Sequence, residues 1–211
     1  TAANMYSGND FRVVVCGYKR LYDLYVITHE IGHLQQYMLT QNKPASFQTG
    51  NSVIQETIGD SIFLAIMTPM HLNRLKLIDD SALFPSPENN FDLHQLMHMA
   101  MLKVPEVPFA FVFETFRYNL FAERVDMEHS NDYFWDLTRK FQRIEPPNES
   151  INRHQLFDVS AKFHFAANVP YARYFFANIL QYQVYRGLCE ATLYGRVRGN
   201  QTLNMPLHKC D

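Results

Sequence analysis

The sequence predicts a mainly α-helical protein, and three features of its 211 residues support that reading. Apolar residues recur at a 3.6-residue period through most of the chain. Strand signals are scarce, with 11–15 (Phe-Arg-Val-Val-Val) the best short apolar run. Pro, Asn and Ser collect between the periodic stretches, at 84–90 and 144–152, where they mark loops.

In chain order, the first helix is expected over about 21–39, ending near Asn42, Lys43 and Pro44. A second runs over about 52–67, with Ser52 as N-cap and a stop at Thr68-Pro69. Helices follow over about 90–102, 109–128 and 132–143. A long one over about 169–194 places Pro170 in its opening turn, where a missing N–H costs little.

Composition narrows the function classes. Apolar residues make up 47% and charged residues 19%, ordinary for a folded soluble protein. With 19 basic against 21 acidic side chains the net charge is -2, so no long-range field recruits nucleic acid or an anionic membrane. No glycine-rich phosphate loop is present either. The longest apolar run, 62–67, falls far short of the roughly 20 residues of a membrane span and reads as a buried helix segment. The 17 Phe and 12 Tyr imply a large core, with some tyrosines available to line a substrate channel. The chain starts at Thr1 without an initiator Met, so the lack of a visible leader says nothing about secretion. Asn148-Glu-Ser and Asn200-Gln-Thr would accept glycans in a secretory compartment. Three cysteines, Cys16, Cys189 and Cys210, leave one unpaired within the chain.

The chemistry is concentrated in Thr28-His29-Glu30-Ile31-Gly32-His33, an H-E-x-x-H motif inside the first expected helix. Two imidazoles four residues apart share a helix face and can hold one Zn²⁺, leaving Glu30 to take a proton from a zinc-bound water. A chain of this composition contains about 0.02 such motifs by chance. A third ligand is offered by Gln55-Glu56-Thr57-Ile58-Gly59-Asp60 on the next helix. An antiparallel return brings Glu56 to the metal, with Asp60 one turn on to orient an imidazole. This is a gluzincin-like arrangement. His94 and His98 are also four apart, but Gln95 stands where the base would be, and they read as ordinary helix histidines.

These residues resemble the angiotensin-converting enzyme family of zinc peptidyl-dipeptidases. The resemblance is carried by His29-Glu-Ile-Gly-His33, Gln55-Glu-Thr-Ile-Gly-Asp60 and Thr68-Pro-Met-His-Leu72. It continues through Ala161-Lys-Phe-His164, Val169-Pro-Tyr-Ala-Arg-Tyr-Phe175 and Pro206-Leu-His-Lys-Cys-Asp211. It implies that residues 1–211 are part of a single peptidase catalytic domain whose upstream portion is missing. It further implies Lys162 and Tyr171 as groups holding a substrate's C-terminal carboxylate, and His164 as a donor to the substrate backbone. Tyr174 is implied to stabilise the oxyanion, and Arg173 to bind a chloride beside it. A lysine at 162 implies release of dipeptides from peptides with a free C-terminus. Cys189 and Cys210 are implied to pair, and Cys16 to pair with a cysteine upstream.

The pattern also departs from the family. Thr138 stands where a second chloride site would have arginine, with Arg139 adjacent, so one chloride site is expected. The resulting expectation is a secreted or cell-surface zinc peptidase. Two rivals remain: an inactive relative used as a binding scaffold, and a zinc peptidase of single-residue carboxypeptidase or aminopeptidase specificity. Without its upstream partner segment the chain is expected to expose apolar surface and to be poorly soluble or inactive.

Overall fold

The computed structural model describes residues 1–48, 50–84, 86, 90–147, 152–195 and 203–210. Both sequons, at Asn148 and Asn200, lie outside the described residues. Helices dominate, as the sequence predicts. A small antiparallel ribbon opens the chain: β1 (Ala2–Asn4) pairs with β2 (Phe11–Val13), Ala3 opposite Arg12. Periodicity locates β2 but not β1, whose three small or polar residues carry no strand signal.

The helices are α1 (Leu21–Thr40), α2 (Ala45–Gln48), α3 (Ser52–Ile66), α4 (Pro69–Arg74), α5 (Phe91–Lys103), α6 (Glu106–Phe121), α7 (Ser130–Gln142), α8 (Phe163–Ala166) and α9 (Ala172–Tyr194). Three boundaries differ from the sequence expectation, each for a local reason. The N-cap of α3 is Asn51, whose side chain accepts from the Val53 N–H, so Ser52 is the first helical residue. Helix α6 stops at Phe121 rather than near 128, because Glu123 adopts φ 55°. The Arg124 N–H then bonds back to the Asn119 carbonyl at 2.9 Å, a Schellman-type end without the usual glycine. Helix α9 starts at Ala172, beyond Pro170, since a residue preceding proline is driven out of the helical region.

The described residues form two compact units, 1–99 with 177–211 and 100–176. In the first, α1 packs most extensively on α3. Phe63, Met67 and Leu72 form a core there, against Leu24, Tyr25 and Ile78. A second cluster gathers Tyr185 and the Cys189–Cys210 disulfide, the pairing the resemblance implies. Cys16 is exposed and forms no disulfide among the described residues. In the second unit α6 packs on α7, and Ala110, Val112, Phe113 and Phe116 are fully buried.

The sequence reading found no stretch suited to a membrane, yet 91–121 contains an 18-residue window of mean hydropathy 1.3, long and apolar enough by length and composition to cross one. Pro105 separates α5 from α6 within that stretch, and the buried Glu114–Arg117 ion pair would be costly in hydrocarbon. Large apolar side chains do lie at the surface, including Tyr18 (81% exposed) and Leu39 (78%).

Candidate metal centre and associated polar cluster

Helix α1 is held at its start by Asp23, whose carboxylate accepts from the backbone N–H groups of Arg20 (2.8 Å) and Tyr18 (3.1 Å). That fixes the pitch of the face carrying His29 and His33. Helix α3 lies against this face at backbone contact. A Cβ added to Gly32 would sit 2.7 Å from the Gly59 Cα, and one on Gly59 would sit 2.8 Å from His29 Nδ1. Only glycine at both positions permits this approach. These two glycines were missed in the sequence, although mid-helix glycine costs about 1 kcal/mol relative to alanine and so signals a packing role.

The approach brings three donors together. His29 Nε2 lies 3.0 Å from His33 Nε2 and 3.2 Å from Glu56 Oε2, and His33 Nε2 is 3.7 Å from that same oxygen. Among the described residues this is the group of His, Cys, Asp and Glu able to share an ion. A tetrahedral zinc with ligands at 2.0–2.1 Å has ligand–ligand edges of about 3.3 Å, which is also about the mean of these three separations. The donor set, two imidazoles and a carboxylate, is a zinc set, and the residues fit the ion.

His29 is further oriented by Asp60. Its Nδ1 lies 2.8 Å from Asp60 Oδ1, which directs Nε2 at the ion position. Tyr25, one turn before His29, donates its hydroxyl to the same oxygen at 3.1 Å, a contact no sequence motif marks. Burial disfavours a charged His29, but bonds to Asp60 and Glu56 outweigh it and raise its pKa to about 9. His33 is pushed below its usual value, by burial and then by repulsion from His29. Two imidazole nitrogens facing each other beside a carboxylate thus demand a positive charge between them. Glu30 follows His29 on the same helix and is partly buried.

The second unit gathers the other residues implied by resemblance. His164 Nε2 and the Tyr174 hydroxyl are 2.9 Å apart. The Tyr171 ring packs against both, 5.1 Å from the His164 ring and 4.5 Å from that of Tyr174. The Lys162 ammonium lies over the rings of Tyr171 (5.4 Å) and Phe109 (5.9 Å). The Arg173 guanidinium lies over the Tyr174 ring at 5.6 Å, and its Nε donates to the Pro170 carbonyl. Glu114, from α6, accepts the Tyr171 N–H at 2.6 Å and pairs with Arg117, capping the approach to α9 from another helix. Nothing in the local sequence reveals that contact, which spans 57 residues. Thr138 is buried and bonds the Phe134 carbonyl, while Arg139 pairs with Asp136 and Glu145.

Comparisons with known proteins match the whole chain. A family model described as angiotensin-converting enzyme matches residues 1–211. The angiotensin-converting enzyme of Bos taurus is 37% identical over 215 residues, covering 100% of this chain and 15% of the relative. That of Haematobia irritans exigua is 32% identical over 212 residues, covering 100% of this chain and 33% of the relative. The angiotensin-converting enzyme-like protein Ace3 of Mus musculus is 34% identical over 209 residues, covering 99% of this chain and 26% of the relative. The chain therefore spans a third or less of the length of each of these relatives. Since the match runs end to end, this chain belongs to the angiotensin-converting enzyme family.

Proposed function

We propose that this chain carries the zinc centre of a metallopeptidase that releases C-terminal dipeptides from oligopeptides. What carries the reading is the convergence of His29, His33 and Glu56 at zinc-ligand spacing, with Glu30 next to a ligand on the same helix. Bound zinc would polarise a scissile carbonyl and acidify a coordinated water. Glu30 takes the proton from the attacking water and returns it to the leaving amine. Tyr174 and His164 stabilise the oxygen that gains charge: with His164 Nε2 donating to the Tyr174 oxygen 2.9 Å away, the Tyr174 hydroxyl proton is left to donate to that oxygen. Lys162 and Tyr171 take the substrate's terminal carboxylate, which fixes cleavage two residues from the end. Arg173, stacked on Tyr174, is the group for one chloride ion.

Because the relatives are much longer, this reading includes further polypeptide of the same domain to complete the substrate cleft. An extracellular setting, secreted or at the cell surface, suits the Cys189–Cys210 disulfide and would allow glycans at Asn148 and Asn200. Mass spectrometry of products from a free-acid peptide and its C-terminal amide, with this chain carried in its complete catalytic domain, tests the proposal. Expected is loss of dipeptides from the free acid, abolished by a zinc chelator. Glu30→Gln should retain zinc and lose at least about 100-fold in rate. Release of single residues, or equal cleavage of the amide, would defeat the dipeptidase reading.

A further inference from the structure

The segment that carries Lys162 and His164 is gripped at its base by one carboxylate. Asp158 Oδ2 accepts from Trp135 Nε1 at 2.7 Å, Arg153 Nη1 at 2.7 Å and Asn131 Nδ2 at 3.2 Å. The Asp158 N–H donates to Asn131 Oδ1 at 2.8 Å, and Asn131 Nδ2 also reaches the Arg153 carbonyl at 2.8 Å. Asn131, in the first turn of α7, is 1% exposed. A single buried amide thus holds both the backbone and the side chain of Asp158. The Arg153 guanidinium completes the group, 5.7 Å above the Trp135 ring.

A lone surface ion pair contributes little to stability. Three donors on one oxygen, one of them charged, form a network whose members reinforce each other. Burial acts against the ionised form of Asp158, but the bonds from Trp135, Asn131 and Arg153 exceed it and hold the carboxyl below its usual range.

The grip extends along the chain without a break. Asp158–Ala161 is a 3-10 turn, with the Ser160 N–H on the Phe157 carbonyl (3.0 Å) and the Lys162 N–H on the Val159 carbonyl (3.2 Å). The Phe165 N–H then bonds the Lys162 carbonyl at 2.9 Å, at the start of α8. Val159 is 2% exposed in the core cluster. A shift at Asp158 therefore displaces Lys162 and His164, four and six residues on.

We infer that Asp158, gripped by Trp135, Asn131 and Arg153, is a positioning residue that sets the placement of Lys162 and His164 toward a peptide's C-terminus. The substrate half of this inference rests on the function proposed above; the placement half does not. The competing account is that Asp158 only stabilises the fold.

The test uses the complete zinc-loaded catalytic domain, this chain together with the further polypeptide that completes the cleft, carrying Asp158→Ala, with Trp135→Phe as a milder variant that removes one donor and keeps an aromatic ring. Hydrogen exchange should speed at least tenfold at the Ser160, Lys162 and Phe165 amides, with α1 and α3 unchanged. The preference for a free-acid peptide over its amide, as a ratio of kcat/KM, should fall about tenfold, mainly through KM for the free acid. Loss of folded protein alone would lower both substrates by one factor; an unchanged ratio overturns the inference. If the unsubstituted protein holds zinc and cleaves nothing, the proposed function fails by itself. Exchange then decides, and unaltered protection at those three amides overturns the placement. If Asp158→Ala does not fold, Trp135→Phe supplies the same comparison with a smaller expected change, and no change overturns the inference.

Discussion

Substituting Gly59 by alanine should separate zinc binding from folding. The added Cβ would lie 2.8 Å from His29 Nδ1, 2.9 Å from Cε1 and 2.9 Å from the His29 carbonyl oxygen. Ordinary contact begins near about 3.5 Å, so α1 and α3 must part by about 0.6–0.8 Å. The imidazole cannot swing aside alone, because Nδ1 is bonded to Asp60. At present a circle through the three donor atoms has a radius of about 1.9 Å, inside the 2.0–2.1 Å reach of zinc. Moving Glu56 outward by about 0.8 Å widens it to about 2.2 Å, and no point then lies within bonding distance of all three. On stability, alanine gains about 1 kcal/mol in helix propensity while overpacking costs about 1–3 kcal/mol. The expected outcome is a melting temperature lowered by a few degrees and zinc affinity reduced at least about 100-fold. Competition with a chromophoric chelator and a thermal melt by circular dichroism read the two quantities. Zinc affinity within about twofold of the unsubstituted protein would refute the close-approach argument.

Asp60→Ala leaves the ligands intact and frees the His29 ring, so zinc affinity should fall by about 10–100-fold with helix content unchanged. Removing the Cys189–Cys210 bridge, whose partners are 21 residues apart, should cost about 3 kcal/mol, read as an earlier denaturant midpoint. Acid should weaken the Asp158 group. Its folded pKa lies below the unfolded value, so its contribution is present above about pH 3.8 and is lost as pH falls through the lower folded value. The emission of Trp135, the single tryptophan, reports that loss directly, and Asp158→Asn should make it insensitive to acid over that range.

The metal centre was legible because its geometry is encoded locally. His29 and His33 share a helix face by spacing alone, and Glu56 and Asp60 repeat that logic one helix later. The contacts that support it were not legible, since they join distant segments. Gly32 meets Gly59, Glu114 meets Tyr171, and Asp158 gathers Asn131, Trp135 and Arg153 from up to 27 residues away. Helix ends failed where an ordinary residue adopted a conformation usually left to glycine, as Glu123 does after α6. For Lys162, Tyr171, Arg173 and Tyr174, spacing alone could not separate a functional residue from a core one. Family resemblance supplied their assignment, and the structure gathers them around His164 in one unit.

The most direct measurement is an anomalous difference map recorded across the zinc absorption edge. Expected is one peak bounded by His29 Nε2, His33 Nε2 and Glu56 Oε2, at about 2.0–2.1 Å from each. A zinc-saturated crystal with no peak there, or with the Glu56 carboxylate turned away from both imidazoles, would contradict it.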